Sequence, residues 1–94
     1  MGPLLRIRQR VQDEAYFLSG HAEEEMYADE LEEGDVVHAI LHGQVSRVYT
    51  GDPRGRRYQV SGPAMDGRLI HVVCRFHETG ELIVITVYAE GSEP

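Results

Sequence analysis

Gly67-Arg68-Leu69-Ile70-His71-Val72-Val73-Cys74-Arg75-Phe76-His77-Glu78-Thr79-Gly80-Glu81-Leu82-Ile83-Val84-Ile85-Thr86-Val87-Tyr88 decides how this chain folds. It holds two runs rich in β-branched and aromatic residues, which favour extended backbone. Glu78-Thr79-Gly80 separates them, with the glycine and polar side chains that a tight turn needs. The pattern predicts a hairpin with strands over about 68–77 and 81–88. Strand alternation puts Ile70, Val72, Cys74 and Phe76 on one face, with Ile83, Ile85 and Val87 beside them as the helix-covered core. His71, Val73, Arg75 and His77 then fall on the opposite face with Leu82, Val84, Thr86 and Tyr88.

Upstream of the hairpin, the period-2 stretch 45–49 and the stretch 57–61 read as two further strands, joined by the Gly/Pro loop 50–55. Before them the apolar period becomes helical. Leu4, Ile7 and Val11 predict a short amphipathic helix over about 4–14. Ser19 suits the N-cap of a second helix that starts near His21 and buries Ala22 and Met26, with Glu23, Glu24 and Glu25 near the positive end of its dipole. Gly34 reads as a break, after which Val36, Val37, Ile40 and Leu41 form one face of a third helix closed by Gly43. Tyr16-Phe17-Leu18 is a brief extended piece outside the sheet. The expected architecture is one α+β domain over 1–94, ordered over about 4–89, with three N-terminal helices on a four-stranded, mainly antiparallel sheet.

At 94 residues, 41% of them hydrophobic, the chain has material for one core. The longest aliphatic run, Leu82 to Ile85, is far short of the ~20 residues a spanning helix needs, so no membrane partner is expected. The first ten residues carry arginines and no apolar stretch, and Cys74 is the only cysteine. No secretory leader and no internal disulfide are therefore expected, which fits a reducing cytoplasm. Cys74, on the apolar side of its strand, is expected to be a small buried hydrophobe rather than a nucleophile.

The net charge of −7 opposes nucleic-acid binding, but its distribution is uneven. From Asp13 to Ser46 there are ten acidic residues and no Arg or Lys, whereas Arg47 to Arg75 holds six arginines against Asp52 and Asp66. The acidic run Asp29 to Asp35 is a solvated helix junction or a docking surface for a basic partner. Arg54, Arg56 and Arg57, with Tyr49 and Tyr58, interleave cations and aromatics as an RNA-binding surface does, or form an ordinary basic loop. His38 and His42 stand i, i+4 with Asp35 before them, a spacing that can bind metal. A structural zinc needs four ligands, usually with thiolates, so neither metal nor cofactor is expected.

Phe17-Leu18-Ser19-Gly20-His21-Ala22, then Asp35-Val36-Val37-His38-Ala39-Ile40, then Gly67-Arg68-Leu69-Ile70-His71-Val72-Val73, then Ile85-Thr86-Val87-Tyr88 resembles, in this order, the bacterial domain of unknown function 4258 family. That family is similar in layout to RelE-, ParE- and BrnT-like toxins, and some members are encoded beside antitoxin-like proteins. The resemblance implies a toxin of a toxin–antitoxin pair that cleaves RNA without metal, and it carries over His21, Arg68, His71, Thr86 and Tyr88. In the implied mechanism His21 or His71 takes the ribose 2′-OH proton, the other histidine or Tyr88 protonates the leaving oxygen, and Arg68 or Arg75 stabilises the phosphorane. Arg54, Arg56, Arg57, Arg75 and Thr86 would hold the substrate. Two positions depart from the family pattern. Glu25 stands where it has arginine in His-Ala-x-x-Arg-Met, and Asp29-Glu30 where it has arginine before glycine. Replacing cations by anions there implies the alternative, a non-catalytic protein-interaction module of the same fold.

Overall fold

A computed structural model describes residues 2–92. Three helices precede most of the sheet: α1 (Pro3–Gln12), α2 (Gly20–Ala28) and α3 (Glu33–His42). The strands are β1 (Tyr16–Leu18), β2 (Gln44–Tyr49), β3 (Arg57–Pro63), β4 (Leu69–Phe76) and β5 (Leu82–Ala89). They form one five-stranded sheet in the order β1-β5-β4-β3-β2. The α+β class and the three helices agree with the sequence; the sheet does not have four strands. Tyr16-Phe17-Leu18 pairs parallel with Leu82, Ile83 and Val84, which makes the sheet mixed. A three-residue strand is too short to declare an alternation, and its partner lies more than sixty residues downstream. None of the helices is long and apolar enough to cross a membrane, among the described residues.

The covered face also differs at β5. Ile70, Val72 and Cys74 are buried as expected, and Phe76 packs against their cluster. On β5, however, Leu82, Val84, Val87 and Ala89 face the core, and Ile83 and Ile85 do not. The cause is a β-bulge: Val73 pairs with Thr86 and Cys74 with Val84, so Ile85 is an extra residue opposite no partner. The bulge shifts the phase of the strand halfway along. An unbroken apolar run has no alternation from which to read such a shift.

Helix ends are closed by side chains from elsewhere in the chain. Ser19 Oγ accepts the Ala22 N–H at 3.0 Å, the expected N-cap of α2, and donates to the Ile85 carbonyl at 2.9 Å. α3 starts one residue before the expected break: Gly34 lies inside it, and Glu32 and Asp35 form a capping box. Asp35, buried, also accepts the Met65 N–H at 2.9 Å. At the other end of α3, Arg8 of α1 donates to the carbonyls of Ile40 (3.0 Å) and Gly43 (2.8 Å), where the dipole favours a cation.

α3 lies close to β3 because two glycines meet. A Cβ on Gly62 would stand 2.3 Å from the Ala39 carbonyl oxygen and 2.8 Å from Gly43 Cα. Both neighbours are backbone and cannot swing aside. Gly62→Ala is therefore expected to lower stability by about 3 kcal/mol or more, checked by urea denaturation. A loss below about 0.5 kcal/mol, the range of ordinary surface changes, contradicts the packing described.

Candidate functional site

The sheet face opposite the helices carries the outward residues of β3, β4 and β5 in register. Ser61 pairs with His71, which pairs with Tyr88; the next row is Gln59, Val73 and Thr86. The bulge that corrects the core also puts Thr86 and Tyr88 on this face. His71 sits between its strand neighbours. Its ring centroid is 5.1 Å from that of Tyr88, its Nδ1 is 2.6 Å from Ser61 Oγ, and its Nε2 faces the Glu90 carboxylate.

Gln59 ties the row to its surroundings. Its Oε1 accepts from the Tyr49 hydroxyl at 3.2 Å and from the Tyr88 hydroxyl at 3.4 Å, and its Nε2 donates to Ser46 Oγ at 3.1 Å. With Oε1 accepting both hydroxyls, the NH₂ points to Ser46 and to His71 Nδ1, 3.5 Å away. Ser46 reaches this face because β2 has its own bulge between Val45 and Arg47, and its Oγ lies 2.7 Å from Ser61 Oγ.

Cations flank the network. The Arg47 and Arg57 guanidinium groups lie 5.4 and 5.2 Å from the Tyr49 ring centroid. Arg57 Nε is buried without a hydrogen bond among the described residues, its carboxylate partner Asp52 being 3.7 Å away. Arg75 lies further along β4, where it lines a cavity with Arg54, Phe76, His77 and Glu78. Hydrogen bonds from the Arg54 backbone N–H and then its side chain hold the Asp52 carboxyl below the usual carboxylate range. Arg56 is exposed on the same loop.

The other residues expected at the site lie elsewhere. His21, 60% exposed, pairs with Glu25 on its own helix at 3.3 Å and takes no part in the His71 network. Arg68 has its guanidinium engaged: Nε donates to Asp66 Oδ2 at 2.8 Å, and the terminal nitrogens donate to the carbonyls of Asp29 (2.7 Å) and Glu30 (3.0 Å). It closes the C-terminal end of α2. Of the four residues expected to do catalysis, His71 and Tyr88 come together. Ser61, Gln59 and Glu90 were not anticipated. Ser61 could be found only from the register that sets it opposite His71, and Glu90 fell in what reads as a loose tail although its N–H bonds the Leu69 carbonyl at 2.9 Å.

Asp35, His38 and His42 do not form a metal cage. His38 Nδ1 bonds the Pro63 carbonyl at 2.8 Å and its ring lies 4.4 Å from His42, while both Asp35 oxygens are taken by backbone amides. Among the described residues, no three His, Cys, Asp or Glu side chains are grouped to hold a metal ion. Burial pushes the Cys74 thiol up to about 12, so it carries no thiolate near neutral pH.

Residues 18–89 match the family model described as Domain of unknown function (DUF4258). The chain belongs to that family. No curated protein and no solved structure matches it. The matched span runs from the end of β1 through β5 and includes the His71–Tyr88 row, leaving out α1 and Glu90. The two acidic departures have a structural use here. Glu25 Oε1 accepts the Val87 N–H at 3.1 Å and Asp29 Oδ2 accepts the Ala89 N–H at 2.9 Å, so α2 closes the half of the β5 edge that β1 does not reach.

These placements separate the two outlying residues by their effect on folding. His21→Ala should change stability by less than about 0.5 kcal/mol, as at an exposed site. Arg68→Ala should cost about 1–2 kcal/mol because two helix-end carbonyls lose their donors. Chemical denaturation of both variants checks this, and equal costs would contradict the assignment.

Proposed function

We propose that the uncovered face binds RNA and cleaves it without a metal ion, as a toxin restrained by an antitoxin protein would. The observation that carries this reading is the row Ser61, His71 and Tyr88, in which an imidazole and a phenol stand side by side with their rings 5.1 Å apart. An imidazole can take a proton and a phenol can give one at a single phosphodiester. His71 removes the proton from the attacking hydroxyl, Tyr88 protonates the leaving oxygen, and the Gln59 NH₂ group donates to the charge that develops on phosphorus oxygens.

The arginines act on neighbouring phosphates. Arg75 is four residues from His71, about 13 Å at the rise of an extended strand, and Arg54 and Arg57 lie at the same end of the sheet, so the three hold the nucleic-acid strand on one side of the cleaved bond. This arrangement uses few cations, so binding should weaken only modestly with added salt. The order of helices followed by a largely antiparallel sheet is similar to that of RelE-like toxins, which supports the reading by fold analogy alone.

A second reading is favoured by Arg68, whose three donor nitrogens are bound to Asp66 and the end of α2. With that cation committed to the fold, the domain would serve as a non-catalytic interaction module. Expression and an RNA digest in EDTA separate the two. The ribonuclease arrests growth and cleaves RNA, and His71→Ala or Tyr88→Phe lowers cleavage about 100-fold or more. Wild-type protein that leaves both growth and RNA intact sinks the enzyme and leaves the module.

A further inference from the structure

We infer that Ser61 is the nucleophile of this site, activated by His71 and Glu90, and that the site accepts phosphate diesters with no 2′-hydroxyl. The inference rests on the phosphodiester chemistry proposed above and changes its substrate class.

Both ring nitrogens of His71 are occupied. The Glu90 carboxylate can only accept, so the proton it binds sits on His71 Nε2, and in the neutral imidazole Nδ1 is then the bare nitrogen. Ser61 Oγ, 2.6 Å from Nδ1, is then the donor of that bond. A hydroxyl held by a base that is itself oriented by a carboxylate is the arrangement that makes a serine nucleophilic. A ribose 2′-OH would have to displace Ser61 to reach the same nitrogen. The surrounding bonds keep the serine in place: Ser46 Oγ lies 2.7 Å from Ser61 Oγ, and Gln59, fixed by the Tyr49 and Tyr88 hydroxyls, donates its NH₂ to Ser46 beside it. That amide is a donor for the oxyanion of the transition state. Glu90 acts through His71 and is a positioning residue.

The step balances without a metal or redox partner. Ser61 Oγ attacks phosphorus and its proton passes to His71 Nδ1. The P–O bond to the ester alcohol, in line with the attacking oxygen, breaks, and that alcohol leaves with the Tyr88 phenol proton. Water then attacks the phosphoryl group and gives its proton to the Tyr88 phenolate while His71 returns a proton to the departing Ser61 oxygen.

A fluorophosphonate probe tests the nucleophile directly, since Ser61 would displace fluoride and gain the phosphonyl mass. Intact-protein mass spectrometry should show one addition, located at Ser61. Ser61→Ala should take none, and His71→Ala should label about 100-fold more slowly. Glu90→Gln should slow labelling about tenfold and shift its pH profile, and Glu90→Asp should restore much of the rate. Wild-type protein that takes no probe, or Ser61→Ala that still takes it, overturns the inference. Parallel digests of RNA and of DNA of the same sequence keep the two ideas apart. Cleavage of RNA alone by unlabelled protein leaves the ribonuclease and removes Ser61. Labelling at Ser61 without cleavage of either polymer keeps the nucleophile and removes the ribonuclease.

Discussion

The exposed edge of β5 is the constraint on which the rest of the structure depends. β1 is only three residues long and pairs with Leu82, Ile83 and Val84, so the N–H groups of Val87 and Ala89 have no strand beside them. Glu25 and Asp29 of α2 take those two amides, and Ser19 at the start of the helix takes the Ile85 carbonyl. An unsatisfied backbone group in such a place costs about 1–3 kcal/mol, and an open edge is a template for pairing with other chains. α2 therefore completes the sheet with side chains in place of a strand.

That closure fixes the position of the candidate site. It holds the second half of β5 after the bulge at Ile85, and this half carries Thr86 and Tyr88 opposite Val73 and His71. The same use of charge recurs around the molecule. Arg8 closes α3, Arg68 closes α2 against β4, and Arg10 donates to the Gly80 carbonyl of the hairpin turn at 2.7 Å. These arginines hold backbone oxygens, whereas those around Tyr49 and Arg75, on the β2–β4 side, are among the cations not so committed.

The helices were legible because each rests on local signals: Ser19 as a cap, Ile7 and Val11 one turn apart, and Gly43 as a stop. The hairpin was legible from its turn. The phase of β5 was not, because Leu82-Ile83-Val84-Ile85 is apolar at every position and the extra residue shows only in the pairing. Part of the site was read from local signals: His71 and Tyr88 stand on strands whose alternation could be followed near their polar ends. Ser61, Gln59 and Glu90 join them through register, a long-range property that no short window of sequence contains. Glu25 and Asp29, which look like losses when set against the family pattern, owe their role to contacts some sixty residues away.

Amide hydrogen exchange at Val87 and Ala89 tests the edge closure most directly. In the wild-type chain both amides should exchange slowly, like those in the centre of the sheet. In the Glu25→Ala/Asp29→Ala double variant they should exchange at least about tenfold faster while amides of β3 and β4 keep their protection. Fast exchange of Val87 and Ala89 in the wild type, or unchanged slow exchange in the double variant, would contradict the account.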